Sequence, residues 1–377
     1  MNKYETNTSV LLNGLNQFSV NPAQLVSKNA GESTKKLFDY LKSIYGKHIL
    51  SGQQYFHPTE LEDAVYYRIT EHLPAVRGYD LLDMCKNISD SQTDRAIYWA
   101  KNSGCIITMC WHWYAPDDIK NPSDSVWSFY YKTTGYQRKT SFDIIKAVEE
   151  DTLEHRFALD QIDKAAEELK KLEAEDIPVL WRPLHEADGN WFWWGNRKND
   201  GGESIEAYKK LWYIIFDRME NYHKLTNLIW VWNGQSRDMA VHPNTFDLCG
   251  EDIYSEIPLD HSSQKPRFLD VTSYTFGKMA ALSECGYMPD PENLKRDGAK
   301  WLWWLPWWGS FVYKTDENGR SVFDNNGLPL HNSEKFSEEE IKEYFNNDYC
   351  LTLDKLPWYS GKNAEFVTNT MKERFGL

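Results

Sequence analysis

Two short stretches carry glutamates where acid–base or nucleophilic chemistry would want them. In WRPLHEADGNWFWWG (181–195), His185 and Glu186 follow an apolar run and precede Trp191, Trp193 and Trp194. In MAALSECG (279–286), Glu284 closes another apolar run, with no basic neighbour in sequence to neutralise it. Two carboxyl groups suit the cleavage of a glycosidic acetal: one, protonated, gives its proton to the departing oxygen, and the other, ionised, attacks the anomeric carbon or activates water. Opposite protonation at one pH requires burial or a neighbouring charge around the acid, and hydrogen-bond donors around the base. The phenol of Tyr254 and the indoles of the run Trp301–Trp308 are candidate donors. Glu186 could equally be a solvated loop residue or pair with Arg182. Asp80, Asp83, Glu251 and Asp252 also lie near the ends of apolar runs and compete for the same roles. The two-residue period of a strand puts Asp252 and Tyr254 on one face. His112, between Trp111 and Trp113, could bind a sugar hydroxyl or be a satisfied structural histidine. HEADG is not the H-E-x-x-H of zinc proteases, because position 189 is Gly.

Aromatic content supports a sugar cleft. The chain holds 17 Trp, 22 Tyr and 17 Phe, and twelve of the tryptophans fall in four clusters: Trp111 and Trp113; Trp191, Trp193 and Trp194; Trp230 and Trp232; and Trp301, Trp303, Trp304, Trp307 and Trp308. Leu or Ile would pack as well without an N–H that needs a partner, so this much indole is expected to line a groove, with an aromatic-rich core as the alternative for any single ring. Lys plus Arg number 42 against 56 Asp plus Glu, a net charge of −14 spread along the chain, which argues against nucleic acid as a partner. No apolar stretch approaches the length of a membrane span. Met1 to Gly14 lacks the basic-then-apolar pattern of a signal peptide, so the expectation is a cytoplasmic protein or a secreted or periplasmic one whose signal has been removed. Six cysteines without a C-x-x-C pair read as buried small hydrophobes.

The elements that must position these groups follow from eight apolar runs: 47–54, 73–80, 104–113, 177–186, 227–234, 246–254, 278–286 and 300–309. Between them helical periodicity predicts helices over 61–71, 91–102, 152–174, 204–223 and 293–298, with an opening helix over 33–45 capped by Ser33 or Thr34 and closing helices over 337–345 and 363–375. The segment after the fifth run is short, and that after the sixth is irregular. Eight strands alternating with helices predict an α/β fold, a single-domain (β/α)8 TIM barrel, and no G-x-G-x-x-G or Walker loop supports the doubly wound rival. Residues 1–30 are expected to be an N-terminal extension and 31–377 the catalytic domain. Long connections at 114–140, 187–203 and 310–336 all follow strand ends, the face that carries active sites in such barrels. The Asp/Asn-rich stretch 314–326 reads as turn chemistry, since no EF-hand spacing supports a calcium site.

WRPLHEADGNWFWWG, taken with ALSECG and SGQQ, resembles glycoside hydrolase family 26, the β-mannanases of a barrel clan with glutamates on strands four and seven. The resemblance implies retaining hydrolysis of β-1,4-linked mannose in mannan, galactomannan, glucomannan or mannooligosaccharides, without metal or organic cofactor; separately, a monomer is the expectation. It assigns Glu186 as acid/base and Glu284 as nucleophile, with His185 and Tyr254 as their supports. His112, Trp191, Asp252 and Trp304 are its candidates for binding sugar. Leu305 stands where the family often has Arg after the strand-eight tryptophan. Relatives acting on β-1,3-xylan or mixed-linkage β-glucan, and a non-catalytic carbohydrate-binding barrel, are the alternatives.

Overall fold

The computed structural model describes residue 6, residues 8–82 and residues 91–377. Each of the eight apolar runs contains a strand. β1 consists of Ile49–Leu50 and Gly52–Gln54; then come β2 (Val76–Asp80), β3 (Ile106–Cys110), β4 (Val179–Arg182), β5 (Leu228–Trp232), β6 (Leu248–Ile253), β7 (Met279–Cys285) and β8 (Trp301–Pro306). Each strand pairs in parallel with the next. Leu50 pairs with Trp303, which closes β1 onto β8 and completes a (β/α)8 barrel. Helices cover the outside and side chains fill the inside, so nearly every strand residue is buried, which is why the strands read as continuous apolar runs.

Helices at Leu61–Thr70, Gln92–Ser103, Leu153–Ala174, Glu203–Asp217 and Pro291–Asp297 follow the predicted periodicity, as do the closing helices Glu338–Asn346 and Gly361–Phe375. Ser91, Thr152 and Ser337 cap their helices through side-chain oxygens. The opening helix departs slightly from expectation: it spans Glu32–Ile44 behind Gly31, because the two candidate caps are engaged elsewhere. Ser33 donates to Asp176 and Thr34 to the Thr226 carbonyl. Among the described residues, β5 and β6 are joined only by a single 3-10 turn, Pro243–Thr245. The irregular segment after β6 holds the helix Lys265–Tyr274, whose buried side, Phe268, Val271 and Tyr274, is too sparse for a clear period. Near the start of the chain, the Val26 N–H donates to Asp247 (2.7 Å) and Ser27 to Glu220 (2.7 Å), tying this segment to the barrel.

Tryptophan serves packing more than the sequence suggested. Nine of the twelve clustered rings, Trp304 among them, are fully buried. Several find N–H partners inside: Trp193 donates to the Trp113 carbonyl, Trp194 to the His185 carbonyl, Trp230 to Glu220 and Trp301 to the Ser263 carbonyl. Only Trp191, Trp307 and Trp308 of those clusters retain exposed surface. The five described cysteines are free and buried, and Cys85 and Asp83 lie outside the described residues. No helix among the described residues is long and apolar enough to cross a membrane.

Candidate active site

Glu186 and Glu284 meet at the C-terminal mouth of the barrel. One carboxylate oxygen from each of Glu186, Asp252 and Glu284 lies within 4.8 Å of the others. The three face a cleft of about 530 Å³ that is also lined by His112, Trp191, Tyr254, Trp307 and Phe311.

Pro183 cannot continue the ladder, so β4 stops at Arg182 and the chain turns abruptly. Leu184 and Glu186 both adopt left-handed backbone, with φ of 51° and 53°. Such residues cost roughly 1–2 kcal/mol each and persist where surrounding bonds hold them. Here the Glu186 N–H reaches Asn233 (2.9 Å) and the Trp194 indole holds the His185 carbonyl (2.9 Å). Gly189 is obligatory in this turn, because a Cβ there would lie 2.4 Å from the Trp191 ring. Folded back in this way, Trp191 donates its indole N–H to Glu186 Oε2 at 2.9 Å.

Glu284 is buried on β7 and has two stronger donors. Arg182 Nη2 donates to its Oε1, and the Tyr254 hydroxyl to its Oε2 at 2.7 Å. Arg182 also grips Asp252 at 2.7 Å, and Asp252 accepts from Ser283 (2.6 Å) and Asn233 (3.1 Å). Arg182 therefore does not pair with Glu186. Its planar fork instead ties the ends of β4, β6 and β7 together and supplies the positive charge that the carboxylates would otherwise seek from a cation.

Burial, followed by the charges of Asp252 and Glu284, holds the Glu186 carboxyl well above the usual carboxylate range. Burial and Asp252 also push Glu284 up to about 7, against Arg182 and His112. With a cationic fork and a phenol on Glu284 but one neutral indole on Glu186, a single shared proton sits on Glu186. The expected kcat/KM profile is a bell. Activity falls as pH drops through about 7 and Glu284 is protonated, and falls again above the raised Glu186 pKa as that proton leaves. Initial rates across pH check this, and an acid limb down at roughly 4, where free carboxyls titrate, would contradict it.

The other expected residues divide by depth. His112 lines the cleft; its Nδ1 lies 2.5 Å from Asp80 Oδ2 and its Nε2 3.2 Å from His185 Nε2. Burial disfavours charge on His112, but Asp80 outweighs it and raises the pKa. Burial and the adjacent His112 and Arg182 charges push His185 well below its ordinary value, so His185 is the neutral acceptor of the pair. His185 is buried and does not line the cleft: it stands behind His112 and bonds to neither glutamate. Trp304 is likewise buried and away from the cleft, since β8 continues to Pro306 and the first ring to reach the opening is Trp307. Asp80 is committed to His112, while Glu251 points outward to Arg267. Sequence reasoning missed Asn233, Gln235, Tyr130, Tyr136 and the role of Arg182, and named Trp307 only as one of a cluster. Arg182 was signalled only by a cation ending a strand that is otherwise apolar.

Trp307 and Trp308 are held from behind. Gln53 Nε2 donates to the carbonyls of Pro306 (3.2 Å) and Trp307 (3.4 Å), while Glu62 accepts the Gly309 N–H at 2.9 Å. Glu62→Ala strands a buried donor, costing about 1–3 kcal/mol locally. With a sugar resting on the tryptophans, KM is expected to rise about tenfold with a smaller fall in kcat, whereas Glu62→Gln, which keeps an acceptor, stays near the parent. Steady-state kinetics on a soluble oligosaccharide check this; a kcat loss at constant KM goes against it.

Two carboxyls this close at the mouth of a parallel barrel, one with cationic and phenolic donors and the other with an indole, define a glycoside-hydrolase type of site. Comparison with known proteins agrees. The model of glycosyl hydrolase family 26 matches residues 26–327, and the chain belongs to that family. It is 34% identical over 339 residues to a mannan endo-1,4-beta-mannosidase of Thermothelomyces thermophilus, covering 88% of this chain and 63% of that one. It is 32% identical to mannan endo-1,4-beta-mannosidase B of Piromyces sp, covering 92% of this chain and 56% of that one. The chain thus spans between half and two thirds of these relatives' length. Among solved structures, a ruminal GH26 endo-beta-1,4-mannanase superposes with a TM-score of 0.76 at 28% identity, covering 91% of this chain and 72% of that one. The GH26-CBM35 beta-(1,4)-mannanase of Podospora anserina gives 0.71 at 32% identity, covering 91% and 70%.

Proposed function

We propose that this chain is a retaining β-mannanase that hydrolyses β-1,4-mannosidic bonds, with Glu186 as acid/base and Glu284 as nucleophile. The observation that carries this reading is that one carboxylate oxygen of each lies within 4.8 Å of the other. That approach favours the roughly 5–5.5 Å carboxyl spacing of retaining enzymes over the ~6.5–9.5 Å that seats an inverting water. In the first step Glu284 attacks the anomeric carbon as Glu186 protonates the glycosidic oxygen, so the C–O bond breaks and a glycosyl ester forms on Glu284. Glu186, now ionised, takes a proton from water, whose oxygen attacks the same carbon and releases Glu284. Arg182 and Tyr254 stabilise the departing carboxylate, while His112, Trp191, Asp252 and Trp307 are placed to orient the sugar.

Mannan as the substrate is supported by the names of the relatives above. Action within chains is supported by a second hollow of about 220 Å³ that shares His112, Tyr130 and Trp307 with the cleft and adds Phe56, Tyr114 and Trp308. We place the catalytic unit at 31–377, with 1–30 as an extension, and expect a monomer. Reducing-sugar release from mannan, galactomannan, xylan and lichenan in parallel tests the substrate. Fastest release from the mannans is expected, and preference for xylan or lichenan would overturn the assignment.

A further inference from the structure

Outside the catalytic mouth, a groove of about 620 Å³ runs between the 114–140 connection and the helix Leu153–Ala174. One wall is Trp127, pinned by its indole N–H to the Pro122 carbonyl (2.8 Å) and packed on Phe157, with ring centroids 5.6 Å apart. Tyr222, a residue 46% exposed, also lines the groove, with the Arg218 guanidinium 4.5 Å from its ring centroid. Gln161 lies at the floor; it is buried, yet its Oε1 has no hydrogen-bond partner among the described residues.

We infer that this groove is an auxiliary binding site for the same neutral polysaccharide the cleft cuts, an inference that rests on the mannanase reading. A pyranose chain offers apolar ring faces and hydroxyl edges, and the groove offers aromatic walls with amide, carboxylate and ammonium groups between them. Asp163 is already paired with Arg218 (2.7 Å) and hydrogen-bonded to His223 Nε2 (2.7 Å). That leaves Asp160, Glu167 and Lys164 close to charge balance, a poor match for a polyanion or polycation. Position also points to the substrate: two and three residues beyond Trp127, Phe129 lines the hollow beside the cleft and Tyr130 lines both, so one connection presents aromatic rings to both places. A long chain held in the groove would stay near the cleft and raise the effective concentration of cleavable bonds.

The test compares polymer with a short substrate in Trp127→Ala and, separately, Tyr222→Ala, whose exposed ring can be removed without opening the core. Hydrolysis of mannopentaose is expected to stay at the parent rate, while kcat/KM on soluble galactomannan falls about three- to tenfold, the scale of one lost aromatic contact. Retardation of both variants in native gels containing galactomannan should weaken in step. Equal rates and mobilities for parent and both variants on the polymer, with mannopentaose still cut, would overturn the groove alone. A parent inactive on both substrates would overturn the mannanase reading and the groove with it.

Discussion

Glu284→Ala is expected to lower kcat on mannooligosaccharides by about 10⁵-fold, the scale of losing a covalent nucleophile, while the affinity for mannopentaose changes by less than about tenfold. The side chain is buried on β7 and makes its bonds to Arg182 and Tyr254, so its removal takes the attacking oxygen and leaves the aromatic walls of the cleft. The product formed when azide rescues the variant is diagnostic. Azide fits the space left by the carboxylate and can displace an activated aryl leaving group once, from the α face, giving an α-glycosyl azide. A variant that retains more than about a tenth of parental turnover removes Glu284 from the mechanism.

Glu186→Ala is expected to slow natural substrates by about 10²–10⁴-fold, because their departing sugar alkoxide needs the proton. A dinitrophenyl glycoside needs none, so its first step should survive as a burst followed by slow turnover, since the same variant lacks the base that activates water. Azide should then intercept the glycosyl-enzyme from the opposite face and give the β-azide. Opposite anomers from the two variants would place the glutamates on opposite sides of the sugar. No burst, with the first step on the activated glycoside slowed as much as on natural substrates, would remove Glu186 as the acid.

The barrel was legible in the sequence because strands buried on both faces leave continuous apolar runs, and all eight runs contain a strand. Lys265–Tyr274 was less legible because only three of its residues are buried and its tertiary contacts, not its periodicity, make it a helix. The glutamates were visible from their position at strand ends. Their support was not: Arg182 belongs to β4 but acts on residues of β6 and β7, a pairing created only when the barrel closes. Tryptophan misled in a specific way. A ring that fills the space between strand and helix and one that faces a sugar have the same letter, so Trp304 and Trp307 could be separated only by the end of β8 at Pro306.

The central claim is that Glu284 forms a glycosyl ester while Glu186 serves it across one cleft, and covalent trapping tests it most directly. A 2-deoxy-2-fluoro-mannosyl fluoride couples a good leaving group to a ring whose fluorine destabilises positive charge, so the ester should form and then persist. Mass spectrometry of the digested protein should find one added sugar on the peptide containing Glu284, lost on incubation with an acceptor. A sugar attached to another residue, or full turnover with no adduct and an α-configured first product, would contradict the account.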